Sequence, residues 1–561
     1  MEATMNQYPM AERIKANTHD VENMPVVLEN YNVFNNDPAL KEGVLREGGE
    51  WALERLQTFG EVCGSREAIL AGSQANQNKP TLQTHDRYGR RIDEVEFHPA
   101  YHQLMTSSLA NGIGGLPWAE PKAGAHVARA ASFYMQSQVE AGHLCPVCMT
   151  YASVPTLKKQ ANIAEHWLPK VMSSEYDPRN VSYQDKQSLT IGMAMTEKQG
   201  GSDVRRNSTH AYPIGQRGPG MEYELVGHKF FVSAPMCDAF LVLAQAEGGI
   251  SCFLVPRWRP DGSKNPLQVI RLKDKMGNVS NASSETELRG AFGWLIGEEG
   301  RGIANILEMV ACTRFDCVSG SAGQMRAHMY QIVHHTSQRE AFGNRLDKQP
   351  LMQNVLADLS LEAEAATAMA MRLGRGMDES GMNEEADAFT RIATAVCKYW
   401  VCKRAPGHAY EAMETIGGSA VMENSLMPRF YREAPINSIW EGSGNVQCLD
   451  VLRAMSREPS SLEAFMSELE KSRGSDKRFD AHLSKLAKEF RNLDEVEYRA
   501  RHIVEQMALG LQGSLLIQTG NSHIADAFCA GRLDGNSGHT YGMLPKGIDV
   551  NALIDRCRIA R

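Results

Sequence analysis

MEYELVGHKFFVSAP (221–235), DAFLVLAQ (238–245), SCFLVPR (251–257) and LQVIRL (267–272) decide the fold. These runs are short and rich in Val, Phe, Leu and Ile, and Gly, Pro, Asn and Asp separate them at close intervals. That pattern, from about Ser188 to Gly297, predicts an antiparallel barrel or sandwich. Both flanks read differently. From about Gly48 to Gln187 the pattern is mostly helical, with an Ala-rich stretch, AGAHVARAASFYMQSQVEAG (123–142), that stops at Gly142. The segment DRYGRRIDEVEFHP (86–99) interrupts it with turn chemistry. After the β region, residues 309–343 and 353–377 place apolar residues three and four apart on Ala-rich faces, as packed helices do. The first 45 residues are polar and weakly periodic, an arm that wraps another surface or stays loose. The expected class is α+β: an N-terminal arm and helical domain (1–187), a central antiparallel β-barrel domain (188–297), a C-terminal helical bundle (298–455) and a helical C-terminal extension (456–561).

Composition narrows the function. The chain has 561 residues and a net charge of −8, which argues against a general polyanion-binding surface. No apolar run reaches the ~18–20 residues a bilayer span requires, so no membrane partner is expected. The start, MEATMNQYPMAERIK, lacks the basic and apolar regions of a secretory signal. Twelve scattered cysteines suit reduced thiols in a cytoplasm. Cys145 and Cys148 form one CPVC pair with no second pair at zinc spacing, so no metal site is expected.

Three segments carry chemistry. In MAMTEKQGGSDV (193–204), Gly200 and Gly201 let backbone amides approach a ligand, and Thr196 and Ser202 add hydroxyls. By itself this is also a plain tight turn. In SIWEGSGN (438–445), Glu441 sits between Trp440 and Gly442 in a Gly/Ser turn, a setting for a carboxylate base with room for a planar ligand beside it. The alternative is an ordinary capping Glu. In SQREAFGNRLDKQP (337–350), Arg339 stands near Phe342 and Gly343, and its fork suits a pyrophosphate. The chain has neither a GxGxxG fingerprint nor a P-loop, so a dinucleotide needs another mode of binding.

In this order the segments resemble the acyl-CoA dehydrogenase family. MTEKQGGSDV resembles its MTEPxAGSDV flavin segment, GHKFFVSAP (227–235) its GxKxWITN strand, and QREAFG its ERxxFG helix end. ETIGGSAV (414–421) resembles QxxGGxGY, and YREAPINSIWEGSGNVQ (431–447) resembles RDARxxxIYEGTxxIQ. The long N-terminal segment, DRYGRRIDEVEFHP, RLKDKMGNVSNAS, TRFDC and the extension of about 100 residues look like the alkylation-response, AidB-like branch of that family.

The resemblance implies FAD as cofactor and Glu441 as the base that takes the α proton of a bound acyl-CoA thioester. It implies that Met193, Met195 and Thr196 line the flavin ring, and that Gly201 and Ser202 approach the pyrophosphate. Phe231 and Ser233 hold the family's Trp and Thr flavin-contact positions. Ser443 and Asn445 match the Thr and Gln that reach the cofactor after the catalytic turn. Arg339, Phe342 and Gln349 would reach the FAD of a neighbouring subunit, since the family assembles tetramers. Arg314 and Trp440 stand at positions near the acyl-CoA. The sequence departs from the family at Ala311 and Cys312, where an Asp usually pairs with the Arg, and at Glu414, where a Gln is usual. The electron acceptor would be an electron-transfer flavoprotein or oxygen.

The AidB-like branch also implies binding of double-stranded DNA through the extension. That segment is neutral overall, but basic residues including Lys477, Arg478, Lys485, Lys488 and Arg491 cluster with interleaved acids. From sequence alone a solvated charged helix accounts for them better. Three functions follow: an alkylation-response flavoprotein with weak dehydrogenase activity, a fully active catabolic dehydrogenase for branched or long acyl chains, and a non-catalytic scaffold that keeps FAD.

Overall fold

Asp37 starts the helical part of the chain. Its carboxylate caps helix α1 (Pro38–Arg46) by accepting from Leu40 N at 3.0 Å. The same carboxylate is buried and pairs with Arg326 at 3.0 Å and with the Tyr134 hydroxyl at 2.8 Å. The structure, a computed structural model, describes residues 19–560 except 493, 536 and 537. Helices α2 (Leu53–Gly64), α3 (Arg66–Gln77), α4 (Pro99–Ala110), α5 (Ala125–Val139), α6 (Leu144–Lys158) and α7 (Ala161–Val171) follow. Every residue of α5 is buried, which explains its small, Ala-rich composition.

The segment around 86–99 is more than an interruption. Thr81–His85 (β1) and Arg91–Glu96 (β2) form an antiparallel hairpin, with Thr81 opposite Glu96. It joins the helical part to the β region: Arg91 Nη2 donates to Val269 O at 2.7 Å, and Lys79 pairs with Asp274 at 2.8 Å.

The described part of the arm before α1, residues 19–37, lies on the helices, and residues 1–18 lie outside the described residues. Asn30 N donates to Gly64 O at 2.8 Å. A Cβ at Gly64 would overlap the Tyr31 carbonyl, so only glycine seats this crossing. Gly64→Ala is expected to lower stability by about 1–3 kcal/mol, read as a shift in the denaturant midpoint.

The β region contains β3 (Ile191–Ala194), β4 (His210–Pro213), β5 (Glu222–Ser233), β6 (Ala239–Ala246), β7 (Gly249–Pro256), β8 (Leu267–Leu272) and β9 (Ser283–Ile296). Pairings β6–β4–β5–β9–β7–β6 close a barrel, with β3 beside β6 and β8 beside β9. The barrel is mixed rather than wholly antiparallel, because β3 and β4 both run parallel to β6. The crossing loop 195–209 makes this arrangement available, and it is the loop that carries the glycine turn. Central strands β6 and β7 are buried over most of their length, so they read as continuous apolar runs without alternation.

The chain then forms α8 (Gly302–Thr336), α9 (Pro350–Glu379), α10 (Glu384–Ile416), α11 (Met427–Glu433), α12 (Ile436–Ile439) and α13 (Gly444–Arg457). Arg129 of α5 and Asp316 of α8 form a fully buried pair, with Nη2 donating to Oδ2 at 2.8 Å. Arg129 also lies 3.6 Å from the centre of the Tyr151 ring.

The extension supplies α14 (Pro459–Glu470), α15 (Lys477–Arg491) and α16 (Ala500–Gln518). Glu468 fastens it to the bundle by pairing with Arg372 at 2.9 Å. Residues 550–560 return to the first helices: Arg556 pairs with Glu42 and Glu364, both at 2.8 Å, and Ala560 N donates to Asn36 Oδ1 at 2.7 Å. Among the described residues no helix is long and apolar enough to cross a membrane.

Candidate active site

Glu441 occupies the loop between α12 and α13 with φ of +56°, a conformation that costs a side-chain-bearing residue energy. The loop is held there from three directions. Lys398 Nζ donates to Trp440 O at 2.7 Å and to Gly442 O at 2.5 Å. Gln447 Nε2 donates to Glu441 O at 3.0 Å and Gly442 O at 2.9 Å. Arg314 Nε donates to Glu441 O at 3.1 Å. The carbonyls of residues 440, 441 and 442 are therefore all bonded to side chains of the bundle. The Glu441 carboxylate itself accepts one hydrogen bond, from Thr313 Oγ1 to Oε2 at 2.7 Å.

Arg314 also holds the loop from the side of α13. Its Nη1 donates to Asp450 Oδ2 at 2.7 Å, and Asp450 also binds Arg391 at 3.0 Å. The acid missing at residues 311 and 312 is supplied from α13. Arg314 thus holds the loop through Nε and Nη1. Trp440 donates its indole N–H to Asn437 Oδ1 at 3.0 Å, and Asn437 reaches Ser321 at 3.0 Å.

The flavin-contact candidates of two segments meet at one edge of the barrel. Phe230 N donates to Thr196 O at 2.8 Å, which places Met193, Met195 and Thr196 beside Phe231 and Ser233. A Cβ on Gly192 would lie 3.3 Å from Ser233 O. Phe231 is 42% exposed, an aromatic face left uncovered on the barrel. Lys273 sits 4.4 Å from its ring centre. Gly201 and Ser202 are exposed, and a Cβ on Gly201 would meet only Thr196, at 3.6 Å, so the turn is open to a ligand. Glu197 anchors the turn from below. Burial pushes its carboxyl up, but Lys229 at 2.7 Å and donors from Thr209 and Ser208 outweigh this and hold it at about 2.

Between the barrel and α6, Cys145 faces this region. Burial pushes its thiol up to about 12. Burial pulls nearby Lys275 down to about 8, and its Nζ donates to Asn281 O at 2.7 Å. Burial and the charge of Glu140 push Glu433 up to about 7, although two contacts from Asn278 N, at 2.7 and 2.8 Å, act the other way.

Of the remaining candidates, Arg339, Phe342 and Gln349 belong to the turn after α8, while Ser443 and Asn445 directly follow Glu441. The chain's own arm engages Arg339: its Nη1 donates to Asn23 O at 2.5 Å, and the Asn23 side chain bonds the Glu340 backbone at 2.7 and 2.9 Å. Phe342 is 98% exposed at the tip of a two-stranded turn, with φ of +54°. Gln349 donates to Ala341 O at 2.9 Å and steadies that turn. Ser443 precedes α13, and Asn445 in its first turn accepts from Arg501 Nε at 2.8 Å.

Of the basic residues singled out in the extension, Lys477, Lys485, Lys488 and Arg491 are exposed on α15 and have no acidic partner among the described residues. Arg478 differs, because Asp476 at 2.6 Å and Asp526 at 2.8 Å neutralise it. The sequence reading missed Thr313, Lys398, Gln447 and Asp450. Gln447 stands in the quoted EGSGNVQ run, and Thr313 directly precedes Arg314, so proximity to known positions was their only signal.

Comparison with known proteins agrees with this arrangement. Residues 23–178 match the adaptive response protein AidB N-terminal domain, 192–291 the acyl-CoA dehydrogenase middle domain, and 300–456 the acyl-CoA dehydrogenase C-terminal domain. AidB of Escherichia coli (strain K12) is 43% identical over 523 residues, covering 93% of this chain and 95% of that protein. The crystal structure of Caenorhabditis elegans ACDH-11 in complex with C11-CoA superposes with a TM-score of 0.84 at 24% identity, covering 98% of this chain and 95% of that one. An acyl-CoA dehydrogenase complexed with FAD from Bacillus anthracis has a TM-score of 0.63 at 18% identity, covering 77% and 80% of the two chains. With the base loop, the barrel edge and near-complete coverage of a 43% identical relative in agreement, the chain belongs to the acyl-CoA dehydrogenase family, in its AidB branch.

Proposed function

We propose that this chain is an FAD-dependent oxidoreductase in which Glu441 removes the α proton of an acyl-CoA thioester. The observation that carries this reading is the Glu441 carboxylate itself, aimed by Thr313 Oγ1 at 2.7 Å from a loop whose three carbonyls are bonded away. Trp440 N donates to Ile436 O at 3.3 Å, so the Glu441 N–H is the loop amide that would meet a thioester oxygen, which lowers the cost of deprotonation. The barrel edge fits a flavin: Phe231 offers a partly exposed aromatic ring, and the open turn at Gly201 and Ser202 admits a phosphate. Met193, Met195, Thr196 and Ser233 would hold the ring, and FAD when bound supplies the hydride acceptor. Glu441 Oε takes the proton, Thr313 fixes which oxygen is presented, and Arg314 with Asp450 keeps the loop in place. A C11 acyl-CoA thioester, the ligand in the ACDH-11 complex, is the first substrate to test. Anaerobic addition to the yellow protein should bleach its visible absorption. A protein that no thioester bleaches would favour the FAD-bound scaffold.

The reading extends to the alkylation response. The electron acceptor would be an electron-transfer flavoprotein or oxygen, and twelve free thiols suit a cytoplasm. Phe342 supports assembly into a tetramer: its ring is 98% exposed and would reach the FAD of another copy, with Arg339 and Gln349 behind it. The α15 stripe favours double-stranded DNA as a partner. Lys477, Lys485, Lys488 and Arg491 span roughly 21 Å along one helix face. The helix's acids are engaged elsewhere, Asp480 by Gly474 N at 2.9 Å and Glu489 by Arg499. Changing Lys485 and Lys488 together to Gln should reduce the salt slope of DNA binding by about two, measured by anisotropy with a duplex across salt concentrations. Salt-independent binding would exclude phosphate contacts by this stripe.

A further inference from the structure

The extension and the cofactor-contact segment meet at one place. Arg501, in the first turn of α16, donates through Nε to Asn445 Oδ1 at 2.8 Å. Asn445 lies in the first turn of α13, four residues after Glu441, and matches a position that reaches the cofactor. Lys403 of α10 approaches the same turn, with its Nζ 3.3 Å from where a Cβ on Gly444 would lie.

This cluster is electrostatically incomplete. Neither Arg501 nor Lys403 forms an ion pair with any described carboxylate, and Glu505, one turn beyond Arg501, pairs with neither. Burial and the neighbouring Arg501 both hold Lys403 below the usual lysine range. The first turn of α16 contains no acidic residue. A cation at that end of a helix is disfavoured by the helix dipole. Two crowded cations, each without a counter-ion, are unfavourable until an anion stands between them. Three other arginines of the extension are neutralised: Arg473 by Glu470, Arg478 by Asp476, and Arg499 by Glu489.

We propose that Arg501, assisted by Lys403, binds the diphosphate of FAD, so that the C-terminal extension completes the cofactor site. This rests on the FAD reading above. Arg501 lies beyond residue 456, where the match to the family's C-terminal domain ends, so the contact is one that the matched domains do not supply. A guanidinium suits this task because its fork can bond two phosphate oxygens while Nε remains on Asn445.

The test uses the FAD-loaded protein. On dilution, released FAD becomes fluorescent and gives a dissociation constant. Losing a charge-assisted hydrogen bond corresponds to about 10- to 100-fold in affinity, so Arg501→Glu should weaken FAD binding by at least about tenfold. Arg501→Lys should recover most of that loss, and Arg473→Glu, an equal charge change on the same extension, should leave it unaltered. Thermal unfolding at saturating FAD should fall below the wild type by the lost binding free energy alone, whereas a merely structural contact would add a further loss. If Arg501→Glu does not fold, Arg501→Gln takes its place. A yellow wild type whose folded Arg501 variant binds FAD within twofold overturns the proposal alone. So does a variant that loses DNA affinity with FAD affinity intact, which would make DNA phosphate the anion. A wild type that takes up no FAD overturns both this proposal and the reading beneath it.

Discussion

Glu441→Gln is expected to give a yellow protein that no acyl-CoA bleaches. The amide oxygen still accepts the Thr313 hydrogen bond, 2.7 Å in the wild type, so the loop geometry survives. The amide cannot accept the α proton. A positioned general base contributes about 10²–10⁴-fold, and the rate of flavin reduction by an acyl-CoA should fall by that much. FAD affinity should not change, because Glu441 makes no contact with the barrel-edge residues that would hold the ring. Stopped-flow absorbance at the flavin band measures the first effect and fluorescence the second. An unchanged reduction rate would remove Glu441 from the mechanism and leave FAD as a structural element.

The second large effect lies in the core. Asp316→Ala should destabilise the protein by about 3–5 kcal/mol, because it leaves the Arg129 guanidinium buried with no counter-charge. Arg129 is fully buried and its remaining partner is the Ile113 carbonyl at 2.9 Å, while the Tyr151 ring covers its face. Denaturant unfolding measures the loss. The double change Arg129→Met with Asp316→Leu should recover most of it, because the cost comes from an unpaired charge and not from the shape of the site. A single variant within about 1 kcal/mol of wild type would mean that water reaches the guanidinium. The loss should also lower activity, since Asp316 lies one turn or less along α8 from Thr313 and Arg314, which aim and hold the base.

The proposed base and flavin turn stood out in the local sequence because each lies in a continuous run. MTEKQGGSDV, GHKFFVSAP and SIWEGSGN each place their own backbone, and their order along the chain specified the family. What holds the base was not legible. Asp450 reaches Arg314 across 136 residues and Lys398 reaches Trp440 across 42, and neither acid nor amine has a local periodicity that announces its partner. The β1–β2 hairpin was hidden for a related reason. Its strands are polar and half-exposed, so they lack the apolar alternation that marks a strand. Pairing also separated residues that look alike in sequence. Lys477 and Arg478 are neighbours, yet one faces solvent and the other is neutralised by two carboxylates.

The return of residues 550–560 to the first helices has a consequence for how the protein would be destroyed. Leu553, Ile554 and Cys557 are buried, and the Ser360 hydroxyl bonds Leu553 O at 3.0 Å between α9 and this last turn. A protease that trims this tail strips a wedge from under Asn36, Glu42 and Glu364 at once. The damage then spreads from the last residues to the first helices without a cut in between. Turnover of the whole chain is thereby tied to the integrity of its final dozen residues.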